Sequence, residues 1–182
     1  PERVDQRSGD APEVEVVGRG GSSKVFKVMG PDKRIYALKR IRLDNADKQM
    51  VDSFRNEIAL MEQLRGKDNI IELIDAQVNE AAKVIYMVMP FGDIDLARLL
   101  HRQDGKEFNE NFLRLYWQQM LEAVHAIHQE RIVHSDLKPP NFLFGEGTLK
   151  LIDFGIAKAI NNDTNNILHG NALRFFRRVW NR

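Results

Sequence analysis

The sequence predicts an α+β fold in which strands come first and helices follow. Three observations predict it. Segments with period-two alternation or rich in β-branched and aromatic residues fill the chain as far as Met89. One amphipathic helical pattern interrupts them. After a boundary near Phe91–Gly92 the apolar residues recur at helical spacing instead.

Residues 1–13 are polar and aperiodic and read as a disordered lead-in. The stretches EVEVV (13–17), KVFKV (24–28) and RIYALKRI (34–41), separated by Gly- or Pro-containing breaks, predict an antiparallel meander. Residues 46–64 place Val51, Phe54, Ile58 and Met61 on one helical face, with Asp44 or Asn45 ahead of them as caps. NIIELIDAQV (69–78) and VIYMVM (84–89) predict two further strands, completing a five-stranded sheet with one helix. Beyond Gly92, residues 93–103 and 109–130 predict helices, the second burying Leu113, Trp117, Met120, Val124 and Ile127. The Trp117 stripe reads as core.

With 182 residues, 43% of them hydrophobic and 29% charged, the chain can build one good core or a small two-lobed domain. No apolar run reaches the roughly 18 residues of a membrane span, so no membrane partner is expected. Lys and Arg exceed Asp and Glu by one, 27 against 26, which argues against nucleic acid as a partner. There is no cysteine. Disulfides, cysteine–zinc sites and thiol nucleophiles are thereby excluded, in keeping with cytosol or nucleus. The opening on Pro1 suggests a trimmed fragment.

GRGGSSKV (18–25) lies between the first two strands. Gly18 and Gly20 leave room for backbone N–H groups to approach a phosphate, and Val25 would reach over a base; a glycine-rich hairpin turn is the plain alternative. Lys39, ending a strand, and Glu57, mid-helix, could pair and aim an ammonium at phosphate oxygens, although each singly would pass for a surface charge. HSDLKPPN (134–141) and LKLIDFG (149–155) are far more specific. They supply a candidate general base, Asp136, and two hard-oxygen groups suited to Mg²⁺, Asn141 and Asp153. His125 and His128 stand three apart on a helix, but without a nearby third ligand they read as surface residues.

At these residues the chain resembles a protein kinase. The resemblance implies a kinase-like fold: a five-stranded antiparallel N-lobe with one helix, and an incomplete, mainly helical C-lobe. It makes Lys39 the strand lysine, Glu57 its helix partner, Asp136 the catalytic base, Lys138 the γ-phosphate contact, and Asn141 and Asp153 the magnesium ligands. It also implies an ATP site of Val17, Gly18, Gly20, Val25, Ala37, Lys39, Met89, Pro90, Gly92 and Leu143. There Met89 is the gatekeeper, Pro90 to Gly92 the hinge and Leu143 the floor beneath adenine. The stretches RNEIALM, IYMVM, DIDL, MLEAVHAIH, IVHSDLKPPNFL and LKLIDFGIAKAI narrow the likeness to the monopolar-spindle kinases, dual-specificity enzymes of the spindle checkpoint. Ser135 stands where many kinases carry an arginine that holds a phosphorylated loop, and serine cannot form that bidentate pair.

The expected organisation is an N-lobe over 14–91, a partial C-lobe over 92–163 and a divergent basic tail over 164–182, where the likeness ends. The tail, with Arg174, Arg177, Arg178 and Arg182 and with Leu173, Phe176 and Trp180 at helical spacing, reads as a non-native or alternative terminus without an evolved role, with docking on the helical surface or binding of anionic lipid or nucleic acid as the alternatives. The resemblance implies an ATP- and Mg²⁺-dependent kinase acting on protein substrates, with kinetochore or checkpoint proteins as partners. It implies a location in nucleus and cytoplasm, and at the kinetochore in mitosis. An inactive nucleotide-binding fragment and a pure interaction module are the alternatives. Retention of every phosphate and magnesium residue weighs against the second.

Overall fold

A computed structural model describes residues 15–44, 46–103, 105, 110–155 and 157–159. The lead-in and the tail lie outside them. Strands β1 (Glu15–Arg19), β2 (Ser23–Met29), β3 (Ile35–Arg42), β4 (Asp75–Asn79) and β5 (Val84–Pro90) form one antiparallel sheet in the order β1-β2-β3-β5-β4. Its register sets the chemistry of each face. Val25, Lys39 and Met87 occupy one row across β2, β3 and β5, and Lys24, Arg40 and Tyr86 occupy the next. Because side chains alternate along each strand, the first row shares its face with Ile41 and Ile85, both fully buried, and the second row faces the other way. On that second face the Arg40 guanidinium lies 5.0 Å from the centre of the Phe26 ring.

Helix α1 (Lys48–Gln63) starts later than the sequence suggests. Asp47 is its cap, accepting from the Met50 N–H at 2.8 Å. Of the two expected caps, Asp44 pairs instead with Arg42 at 2.7 Å, and Asn45 lies outside the described residues. The buried face is also turned: it centres on Glu57, Leu60 and Met61, with Phe54 and Ile58 packed at its margin.

The expected strand over 69–78 is corrected to β4 alone. Ile70, Ile71 and Leu73 are buried, but their backbone is committed elsewhere. Ile71 N–H donates to Leu151 O at 3.0 Å and Leu151 N–H to Asn69 O at 2.8 Å, so tertiary pairing pulls this apolar run off the sheet.

After β5 the chain forms β6 (Ile94–Asp95), α2 (Leu96–His101), α3 (Glu110–Gln129), β7 (Ile132–Val133), a 3-10 turn (Pro139–Asn141), β8 (Phe142–Gly145), β9 (Thr148–Leu151) and β10 (Lys158–Ala159). The helices were expected; the strands were not. β6, β8 and β9 make a three-stranded antiparallel sheet, and β10 pairs with β7. These ladders are too short to show alternation in the sequence. α3 buries Met120, Ala123 and Ile127, with Tyr116, Trp117 and Ala126 packed beside them. Its Gln119 side chain accepts from the Leu149 N–H at 2.7 Å, which ties the helix to β9. A single core runs from Ile41 and Met87 in the first sheet through Leu60 and Leu73 to Phe142, Leu149 and Phe154.

Asp47→Ala should lower the stability by about 1 kcal/mol, the usual worth of an N-cap. Asp44→Ala, which removes only an exposed ion pair, should change it by less than about 0.5 kcal/mol. Urea midpoints of the two variants check the order.

Candidate active site

The glycine-rich turn is drawn tight by a Gly20 N–H bond to Ser23 O at 2.8 Å, and a Cβ on Gly20 would meet Ser23 Oγ at 2.8 Å. Val17 sits at a break in the β1–β2 register between Val16 and Gly18. Gly18 lies against Val25, and Ala37 pairs with both Lys27 and Met89 across the sheet. Lys39 is mid-strand rather than at a strand end. Its row places the ammonium 2.7 Å from Glu57 Oε1, with the glutamate side chain 2% exposed and the lysine 16%. The other carboxylate oxygen, Glu57 Oε2, is buried with no hydrogen-bond partner.

The loop after β7 is built around His134, which is 1% exposed. Its Nδ1 accepts from the Asp136 N–H at 3.3 Å, so the ring proton sits on Nε2, 3.3 Å from Ile152 O. The ring meets Phe154 edge-on at 5.3 Å between centroids. Burial holds the imidazole below its ordinary pKa, against the opposing pull of Ile152 O and of the Asp153 and Asp136 charges. His134 is therefore neutral at pH 7. Lys138 Nζ lies 2.6 Å from Asp136 Oδ2. Asn141 donates its side-chain N–H to Asp136 O at 2.9 Å and its main-chain oxygen accepts from Ile152 N–H at 2.8 Å.

Asp153 is exposed, with φ at +66° and its Oδ1 3.4 Å from Gly155 N. Gly155 separates it from Glu57: a Cβ built on Gly155 would lie 3.4 Å from Asp153 Oδ1 and 3.8 Å from Glu57 Oε2. The structure thus brings Lys39, Glu57 and Asp153 to one place and Asp136, Lys138 and Asn141 to the loop beside it. Because Asn141 commits its amide nitrogen to Asp136, its carbonyl oxygen is the end left for a cation. Together with Asp153 that gives hard oxygens, which fit Mg²⁺. No group of three His, Cys, Asp or Glu that could hold a metal occurs among the described residues. The helical pair His125 and His128 gains no third ligand there, and His125 Nε2 meets Gln129 at 2.9 Å.

Leu143 packs onto the hinge. A Cβ on Gly92 would collide with Leu143 Cγ, so only glycine fits while Leu143 keeps its place. Sequence reasoning missed Lys27, whose ammonium stands 5.1 Å from the centre of the Phe91 ring and links β2 to the hinge. A cation and an aromatic 64 residues apart carry no local signal. It also missed the support that His134 and Phe154 give each other, although both lie inside the quoted motifs.

The protein kinase domain model matches residues 12–174, and the chain belongs to that family. It is 56% identical over 153 residues to the serine/threonine-protein kinase mph1 of Schizosaccharomyces pombe, covering 84% of this chain and 23% of that protein. It is 53% identical over 157 residues to the probable serine/threonine-protein kinase mps1 of Dictyostelium discoideum, covering 85% of this chain and 16% of that one. Against the mouse dual specificity protein kinase TTK it is 50% identical over 156 residues, 85% of this chain and 18% of the relative. The chain spans less than a quarter of the length of these curated relatives.

Two outcomes follow from this geometry. Gly92→Ala should destabilise by about 1–3 kcal/mol through overpacking, and adding Leu143→Ala should recover part of that loss in a double-mutant cycle of urea melts. The unfolded chain binds a proton at its histidines near pH 6.5 before the folded chain binds one at His134. Stability should therefore fall as the pH drops below about 6.5 and be insensitive to this group above about pH 7.5. The fall should be smaller in His134→Asn, as read by urea midpoints on either side of that range.

Proposed function

We propose that this chain binds ATP and Mg²⁺ and is the phosphotransfer part of a protein kinase of the dual-specificity, spindle-checkpoint type. Its substrates would be Ser, Thr and Tyr hydroxyls of proteins. The observation that carries the reading is the buried Lys39–Glu57 pair beside Asp153. A lysine fixed by a buried carboxylate has protons left to offer phosphate oxygens and cannot swing away from them.

On this reading Val17, Val25, Ala37 and Leu143 enclose the base, with Met89 as gatekeeper behind it. Pro90, which has no N–H, leaves its carbonyl to accept, and the Gly92 N–H donates. Gly18 and Gly20 let the backbone approach the phosphates. Asn141 and Asp153 would hold Mg²⁺, whose charge offsets that of the phosphate oxygens. Asp136 takes the proton of the attacking hydroxyl. Lys138, 2.6 Å away, holds that carboxylate in place and contacts the transferred group. The dual specificity and the serine/threonine label come from the names of the relatives. The checkpoint assignment, kinetochore partners and a nuclear and cytoplasmic location with kinetochore attachment in mitosis come from the motif likeness.

Mg-ATP at a hundredfold excess over its dissociation constant should stabilise the fold by about 2.7 kcal/mol. Lys39→Met should weaken the binding and also lower the unliganded melt, because it leaves the buried Glu57 carboxylate without its partner. Asp153→Asn should remove its dependence on Mg²⁺. Asp136→Ala should spare binding while lowering phosphate transfer to a generic acceptor protein by roughly 10²- to 10⁴-fold. Nucleotide affinity indifferent both to Mg²⁺ and to Asp153→Asn would overturn the assigned metal site.

A further inference from the structure

Ser53, Asn56 and Glu57 stand at i, i+3 and i+4 of α1, so they share one face of the helix. Glu57 uses its place there to meet Lys39. The other two reach past the sheet altogether: Ser53 Oγ donates to Gly155 O at 2.8 Å and Asn56 Nδ2 donates to Ala157 O at 3.0 Å. Both acceptors lie just after Asp153, in a segment folded back by an Ala157 N–H bond to Phe154 O at 3.0 Å. That segment runs into β10, where Ala159 pairs with Ile132 and Lys158 with Val133 of β7, the strand that leads to His134 and Asp136. A continuous hydrogen-bonded path therefore joins the Glu57 face of α1 to the loop that carries the candidate base.

We infer that Ser53 and Asn56 are positioning residues, an uncharged two-point clamp that holds α1 on the backbone after Asp153 and so keeps Glu57 on Lys39. The inference rests on the proposed phosphotransfer reading for its purpose, though not for its test. Three observations carry it. Glu57 is buried with only one of its oxygens bonded, so its own desolvation favours leaving, and something else must hold the helix. Apolar packing on this face comes from Leu60 and Met61, one turn on, and the other polar tethers of α1 lie off the face or at its far end. Asp47 caps the first turn, Gln63 reaches Glu130 O at 3.4 Å, and the Arg55–Glu80 pair is 51% and 77% exposed and worth little. Successive residues point about 100° apart around a helix, so a small roll carries Glu57 off Lys39, and two bonds three residues apart on the same face resist a roll where one would not. Both partners are neutral donors on main-chain carbonyls, so the clamp closes without a charged group and is not screened by salt. Ser135 likewise offers no cation to a phosphorylated loop. This half of the cleft is set by hydrogen bonds to backbone.

The test is the rate at which Lys39 is acylated by a small amine-reactive ester in the 182-residue chain without nucleotide. It is read by peptide mass spectrometry, with Lys24 as the internal reference. Ser53→Ala and Asn56→Ala both raise helix propensity, so a displaced α1 could not be traced to a weaker helix. The pair of substitutions should raise Lys39 acylation by roughly threefold or more at low and high salt alike, and leave Lys24 unchanged. Ser53→Thr, which keeps the hydroxyl, should stay near the parent. In the same variants Mg-ATP should bind more weakly, and that loss should vanish in a Glu57→Gln background, because the clamp acts through Glu57. If the parent chain fails to bind Mg-ATP, the phosphotransfer reading falls while Lys39 acylation still decides the clamp. Lys39 acylation unchanged in the pair and in both single variants overturns the clamp, as does an equal rise at Lys24, which would mean general loosening. Should the pair fail to fold, the two single variants decide.

Discussion

The Lys39–Glu57 ion pair is the constraint around which the rest is arranged. Moving two charges out of water costs several kcal/mol per ion, and the attraction between them repays it only when the remaining lone pairs and protons are also satisfied. Here they are not: Glu57 Oε2 is buried and unbonded. Stability alone does not account for such a pair. What it provides is direction, a lysine that cannot wander, at a place separated from Asp153 by Gly155. The sheet register fixes the lysine end, since Lys39 shares its row with Val25 and Met87 on the face of the sheet that includes buried Ile41 and Ile85. The helix end has no such ladder and depends on the bonds that Ser53 and Asn56 make.

A second constraint is backbone strain. Ser135 and Asp153 both adopt φ of +66°, a left-handed conformation that costs non-glycine residues roughly 1–3 kcal/mol each. Each is over-determined by its neighbours. His134 bridges the two stretches, accepting from Asp136 N–H at Nδ1 and meeting Ile152 O at Nε2, and Asn141 bonds to both Asp136 O and Ile152 N–H. Phe154, fully buried against the His134 ring, anchors the far side of Asp153. The strain is thus held where it turns the Asp153 carboxylate out of the core and into solvent.

Much of this was legible in the sequence because kinase chemistry lies in short contiguous runs. Asp136, Lys138, Asn141 and Asp153 each sit in a quoted motif, and the five strands and two long helices carry strong periodicity. The rest depends on partners distant in the chain. Asp47 rather than Asp44 caps α1 because Arg42 captures the nearer carboxylate. Residues 69–71 look like strand by composition, yet Leu151 claims the hydrogen bonds of Asn69 and Ile71. Ser53 and Asn56 read as ordinary polar positions on an amphipathic helix. Their acceptors are main-chain oxygens about a hundred residues away, and a backbone carbonyl has no sequence identity to recognise.

The same long-range bonds say which parts of the site are fixed relative to one another. At its C-terminal end α1 is tied to the end of α3 by Gln63 on Glu130 O, and just beyond it Lys67 pairs with Glu130 at 2.8 Å. Residues 69–71 then enter the backbone of β9. One turn and more before that, Ser53 and Asn56 tie the helix to the segment feeding β10. α1 is therefore fastened to the helical lobe at its middle and at its C-terminal end, while toward the sheet it is held by the shared core around Leu60 and Met61 and by one ion pair. The glycine-rich turn is held more lightly: Gly20 and Gly21 are exposed, the turn is closed by its own Gly20–Ser23 bond, and the Arg42 N–H of β3 donates to Ser22 O at 2.9 Å. Motion about the cleft should concentrate in the β1–β2 turn, with α1, Asp136 and Asp153 moving as one body. The cleft thus has a fixed floor and wall, with its exposed glycine-rich turn as the lightly held side.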